Sequence, residues 1–223
     1  MASAVVDAIA AAYGPRRQFP WREERDPWRV LLAEVLLIQT DAARVAKVYP
    51  ALAAEFPTPC QILEVGRERL EELLRPLGLY RQRARRLLEL AEQLKQKYDC
   101  KVPRSHEELR KLPGVRDYVA AATAVAACGQ SAPVLDVNIA RVLSRVVLGE
   151  DPPKRYMYDE RLRALVSGVE WNREKLYAIV DFAAEVCTIK KPKCDICPLK
   201  SFCKYVQGQV DNFRVTSNSA ISQ

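Results

Sequence analysis

Apolar residues recur at three- and four-residue spacing through nearly every segment of the chain, and alternating runs bounded by turn pairs are absent. That periodicity predicts an all-α protein. Val5 to Tyr13 reads as a first helix closed by Gly14-Pro15, and Asp26-Pro27 supplies an N-cap and a first-turn proline to a helix from Trp28 to about Thr40. Ser105-His106-Glu107-Glu108 forms a capping box that opens a helix to about Lys111, with the only histidine exposed in it. Pro113-Gly114 breaks that helix before another from about Asp117 to Cys128, a helix-hairpin-helix arrangement whose second helix is rich in alanine. After Gln130-Ser131-Ala132-Pro133, a helix from about Val137 to Val147 leads through Asp151-Pro152-Pro153 into two more helices and a cysteine-rich end. From Gln207 the sequence is polar and unpatterned, which predicts a flexible tail over residues 207–223.

A chain of 223 residues suits one large domain or two small lobes and needs no staples to bury a core. No run reaches the roughly 18 uncharged apolar residues of a membrane span, and the N-terminus lacks a signal-peptide layout, so an intracellular protein (cytoplasm or nucleoid), monomeric and without a membrane partner, is expected. The net charge is +7, and Arg81, Arg83, Arg85 and Arg86 crowd one segment. A polyanion such as nucleic acid would be held by that balance, and a solvated helix face accounts for it equally well.

The end of the chain carries a more specific signal. Cys187-x6-Cys194-x2-Cys197-x5-Cys203 is a compact set of thiols with Pro192 and Pro198 in the intervening loops, and it implies a shared metal centre. Disulfides are disfavoured inside a cell, and zinc more often takes two separated Cys-x2-Cys pairs, so the spacing favours an iron-sulfur cluster over zinc. Cys60, Cys100 and Cys128 stand apart and read as small buried hydrophobes.

This cysteine spacing, with Leu112-Pro113-Gly114-Val115 in the hairpin, resembles the endonuclease III superfamily of helix-hairpin-helix DNA glycosylases, over about Phe19 to Cys203. The resemblance implies a 4Fe-4S cluster held by Cys187, Cys194, Cys197 and Cys203, with Lys190, Lys191, Lys193, Lys200 and Lys204 around it gripping the DNA backbone. It implies two lobes: an iron-sulfur lobe from residues 1–25 and 130–206, and a helical lobe, 26–129, carrying the hairpin. In the hairpin, the backbone N–H groups around Gly114 and Val115 would meet a phosphate, and Arg116, which replaces a glycine usual in the family, would add a direct phosphate contact. Members that also cut the strand carry a lysine at the position of Tyr118. A phenol forms no Schiff base, so Tyr118 implies a monofunctional enzyme that uses water.

Two acids complete the expectation. Glu34 has Val30, Leu31, Leu37 and Ile38 three and four residues away, so it belongs to no solvated stripe; it requires a cleft or a partner, and desolvation would keep it protonated. Asp136 in Val134-Leu-Asp-Val-Asn138 reads as a helix N-cap, ionised by helix-end N–H groups. By resemblance Asp136 stabilises the oxocarbenium-like sugar, while Glu34 protonates the departing base or handles water. The family flips its target nucleotide, and Gln39 and Leu79 match the residues that fill the gap; taken alone, Gln39 reads as a helix-end polar residue and Leu79 as core.

Glu34, Tyr118 and the Gly78-Leu79-x-x-Gln82-Arg83-Ala84 pattern make the chain most similar to archaeal-type thymine-DNA mismatch glycosylases of base excision repair, which remove thymine or uracil opposite guanine from duplex DNA. Adenine-DNA glycosylases are the alternative. Against them, Ile38-Gln39-Thr40 replaces Gln-Gln-Thr and Val137 replaces a glycine. A non-enzymatic iron-sulfur DNA-binding module is the third reading, opposed by the presence of both acids.

Overall fold

Short polar caps decide where the helices begin. In the computed structural model, which describes residues 1–208, the α-helices in chain order are α1 (Ala2–Ala12), α2 (Pro27–Leu37), α3 (Ala42–Glu55), α4 (Pro59–Val65), α5 (Arg67–Leu74), α6 (Tyr80–Tyr98), α7 (His106–Leu109), α8 (Asp117–Ala127), α9 (Val137–Leu143), α10 (Glu160–Ser167) and α11 (Arg173–Glu185), with no strand among the described residues. Asp26 accepts the Arg29 N–H at 3.0 Å, Ser105 that of Glu108 at 3.2 Å and Asn172 that of Lys175 at 2.9 Å, each cap contributing about 1 kcal/mol. No helix among the described residues is long and apolar enough to cross a membrane. Residues 209–223 of the expected tail lie outside the described residues.

Backbone contacts divide the chain into two units, Gln18–Ala132 and Met1–Arg17 with the residues from Pro133 on. Residues 18–25 therefore belong with the hairpin unit. Their anchor is Trp21, buried and edge-on to Tyr49 of α3 at 5.7 Å.

In the hairpin unit α2 packs along α8, and α4 and α5 pack on α6. Every residue from Val119 to Ala126 is buried, which explains the bland composition of α8: alanine lets a neighbouring backbone approach closely on all sides. Trp28 is buried and donates its indole N–H to the Phe56 carbonyl at 2.7 Å. α2 ends at Leu37, short of the expected Thr40, because Gln39 turns into the left-handed region at φ 54°.

The cysteines of this unit require a correction. Cys60, in the first turn of α4, and Cys100, just past the end of α6, form a disulfide with Cα atoms 5.6 Å apart across a sequence separation of 40. Only Cys128 stays free there; it is half-buried, and burial pushes its thiol up.

In the other unit α1 packs on α11, and α11 on α9. Asp181 of α11 is fully buried and accepts the backbone N–H groups of Arg16 and Arg17 at 2.9 and 2.8 Å, fastening the segment after α1. Tyr13 donates to Glu185, and burial together with that bond pushes its phenol up to about 12. The helix expected to reach Val147 is α9 followed by a wider π turn, Ser144–Leu148, which Gly149 closes at φ 84°.

Candidate active site

The hairpin consists of α7, a turn at Leu112–Val115 and α8. Gly114 has φ 75°, and a β-carbon there would meet nothing within 4 Å, so the backbone conformation alone calls for glycine. Val115 departs from its expected role: its side chain is buried and its N–H donates to the Leu112 carbonyl at 3.2 Å, closing the turn. Arg116 is exposed at φ −88°, an extended conformation open to any residue, so arginine in place of glycine costs the hairpin no strain. His106 is half-buried instead of exposed, and burial followed by the nearby Arg110 charge pulls its imidazole down.

Gln39 and Leu79 are both exposed, Leu79 at 64 %, which rules out the core role. Each adopts a left-handed backbone, φ 54° and 49°. Non-glycine residues in that region are uncommon and cluster at working surfaces.

Glu34 lies in the middle of α2 and is 4 % exposed; of its expected apolar neighbours Val30 and Leu31 are buried, while Leu37 and Ile38 are half-buried. Tyr118 is half-buried in the first turn of α8, the helix that packs on α2.

In the other unit Asp136 is the N-cap of α9. Its Oδ1 accepts the N–H groups of Asn138 and Ile139 at 2.9 and 2.7 Å, and its Oδ2 accepts the Asn138 side-chain amide at 2.8 Å. These bonds favour the ionised form, but burial outweighs them and raises the carboxyl above its ordinary value. The cap is the one expected, and ionising its carboxyl costs more in the fold than the helix-end N–H groups alone imply. Tyr156 lies close enough that burial and the Asp136 charge both raise its phenol.

The sequence reading missed Asn138 as a partner of Asp136, and with it Arg141. Arg141 is buried; Nη2 donates to Asn138 Oδ1 at 3.1 Å and to the Ala183 carbonyl at 2.8 Å, and Nε donates to the Cys187 carbonyl at 2.7 Å. A hydrogen-bonded path thus joins Asp136 to the backbone of the first loop cysteine. The signal was present in the three-residue spacing of Asn138 and Arg141, which places both on one helix face.

Cys187, Cys194, Cys197 and Cys203 line one cavity, together with Arg145, Lys193 and Tyr205. Arg145, only 4 % exposed, donates to the Thr188 and Ile189 carbonyls at 2.7 and 2.8 Å and approaches the Cys187 sulfur at 3.8 Å. Burial pushes the Cys187 thiol up, and the Arg145 and Arg141 charges oppose it. Among the described residues no three His, Cys, Asp or Glu side chains converge on a single ion position. Four thiols around a shared space, with buried cations to offset thiolate charge, fit a multi-atom cluster.

The family model for the HhH-GPD superfamily, a base excision DNA repair protein, matches residues 32–167. A thymine-DNA glycosylase of Aeropyrum pernix is 37% identical over 198 residues, 86% of this chain and 88% of that one. A thymine/uracil-DNA glycosylase of Pyrobaculum aerophilum is 35% identical over 209 residues, 90% and 91% of the two chains. A solved structure of a thermostable thymine-DNA glycosylase superposes with a TM-score of 0.83 at 31% identity, covering 93% of this chain and 97% of that one. With its hairpin, its all-helical architecture and these matches over most of its length, the chain belongs to the HhH-GPD superfamily of base excision DNA repair proteins.

Proposed function

We propose that this protein is a monofunctional DNA glycosylase that hydrolyses the N-glycosidic bond of thymine or uracil mispaired with guanine. The observation that carries the reading is Tyr118: the first turn of α8 presents a phenol where a strand-cutting relative would need an amine, so water is the nucleophile. The choice of base rests on the likeness to thymine and thymine/uracil enzymes. In the reaction the bond between C1′ and the base nitrogen breaks, water supplies the new C1′ oxygen, and the base leaves with a proton. Asp136 is assigned to stabilise the positive charge that develops on the sugar, and Glu34 to give the proton or hold the water. Gln39 and Leu79 are assigned to fill the gap left by the flipped nucleotide, and Gly114 and Arg116 to contact phosphate. The buried side chain and engaged N–H of Val115 give it a supporting role in that turn.

The test offers the purified protein U:G, T:G, A:G and A:oxidised-guanine duplexes and follows strand breakage with and without alkali. Breaks at U:G and T:G that form only after alkali are expected. Preference for the adenine pairs would transfer the chain to the adenine-specific branch, and no abasic product on any duplex would leave a DNA-binding module.

Cys187, Cys194, Cys197 and Cys203 are assigned to a 4Fe-4S cluster, which when bound cross-links the loops and supplies no group to the glycosidic chemistry. Cys203→Ser is expected to abolish the yellow-brown colour and the iron and sulfide content of the purified protein. Zinc in place of iron in the wild type would refute this assignment.

A further inference from the structure

We propose that Arg83 is a positioning residue that ties the turns carrying Gln39 and Leu79 into one rigid unit, so that both side chains enter the duplex together. The inference rests on the reading of those two residues as the ones that fill the gap. One guanidinium makes all the connections. Its Nε donates to the Gly78 carbonyl at 3.1 Å, immediately before Leu79. Nη1 donates to the Leu36 carbonyl at 3.2 Å, and Nη2 to the Ile38 carbonyl at 3.3 Å and to the Thr40 hydroxyl, on either side of Gln39.

Both turns need such a brace. Gln39 and Leu79 sit in left-handed conformations without being glycine, so each turn is held in place by its surroundings and not by its own preference. α2 has ended at Leu37, which leaves its last carbonyls without helical N–H partners, and Gly78 precedes Leu79, the N-cap of α6, so its carbonyl also lies outside the helical ladder and within reach of Arg83. A planar guanidinium with five N–H donors can span these acceptors; a lysine ammonium is a point charge and cannot. Arg83 also lines a small cavity with Arg86, Pro113 and Gly114, so the same side chain borders the hairpin turn. Its neighbours in sequence behave differently: Arg81 and Arg85 are exposed and reach Glu71 at 4.0 Å and Glu89 at 3.7 Å.

The experiment compares wild type with Arg83→Ala, Arg83→Lys, Thr40→Val, Gln39→Ala and Leu79→Ala on a U:G duplex carrying 2-aminopurine beside the uracil. The fluorescence rise on binding reports unstacking, single-turnover base release reports chemistry, and a titration gives affinity. Arg83→Ala is expected to lose most of the fluorescence rise and to slow base release by about tenfold to 100-fold, while affinity and melting temperature stay close to wild type. Arg83→Lys is expected to resemble Arg83→Ala. If Arg83→Ala does not fold, Arg83→Lys and Thr40→Val carry the test, with Thr40→Val showing a smaller loss in the same direction. Wild-type unstacking and rate in the Arg83 and Thr40 variants, with either signal lost in Gln39→Ala or Leu79→Ala, overturns the role of Arg83. Wild-type behaviour in both Gln39→Ala and Leu79→Ala overturns the reading beneath it.

Discussion

Asp136→Asn is expected to abolish base release while the protein still binds mispaired duplex. The carboxylate is the anion assigned to meet the positive charge of the sugar, and asparagine keeps its shape and its acceptor oxygen without the charge. Losing such electrostatic stabilisation in a partly desolvated position slows an enzyme by about 1000-fold, or about 4 kcal/mol of barrier. The same substitution is expected to raise the melting temperature at neutral pH. Burial raises the folded-state pKa of Asp136 above its unfolded value, so its favourable contribution to folding is complete below the ordinary carboxylate range and is lost as pH rises through the raised value. Above that raised value the wild type therefore bears the cost of a charge in a half-buried position. Asparagine does not, and its oxygen can still accept the Asn138 and Ile139 N–H groups. The difference in melting temperature should close in acid, where the wild-type carboxyl is protonated too. Base release by the wild type should fall off in acid at a pH above the usual aspartate range. Undiminished turnover, or a variant that melts several degrees below wild type at pH 7, would contradict this account of the residue.

The second large effect is on stability. The Cys60–Cys100 disulfide closes a loop with a sequence separation of 40, and the chain entropy it removes from the unfolded state corresponds to about 4 kcal/mol. The double substitution Cys60→Ala/Cys100→Ala is expected to lower the melting temperature by about 10 °C, and a reducing agent should lower the wild-type value by a similar amount while leaving the double variant unchanged. α4 and α6 pack against one another, so the bond locks one end of α6 while the Leu79 turn lies at the other. A thiol titration that finds both cysteines free in the oxidised protein, or equal melting with and without reductant, would refute the contribution of the bond.

The helices were legible because their signals are local. Asp26-Pro27, the apolar period of α2 and the Pro113-Gly114 break each act within a few residues, and all three stand in the structure near their expected places. Glu34 was legible for the same reason: its neighbours at helical spacing are apolar, and it is buried with Val30 and Leu31. What failed depended on distant parts of the chain. Pairing of Cys60 with Cys100 needs Cα atoms within disulfide reach, which no local pattern encodes, and the low expectation of disulfides inside cells pointed the other way. Arg83 looked like one member of a charged helix face, and only the carbonyls of Leu36 and Ile38, more than 40 residues earlier, distinguish it from Arg81 and Arg85. The left-handed turns at Gln39 and Leu79 were hidden because neither residue is glycine. At Asp136 the cap was read correctly, but the balance between its hydrogen bonds and its burial depends on packing that the sequence does not display.

Hydrolysis by water at a mispaired pyrimidine is decided by single-turnover reactions on a U:G duplex, one without borohydride in which free uracil and strand breaks before and after alkali are measured, and a parallel one with borohydride in which protein–DNA adducts are measured. Free uracil with an intact abasic strand, cleaved only on later treatment with alkali, and no covalent adduct is the expected result. A borohydride-stable adduct, or strand breaks before alkali is added, would contradict it.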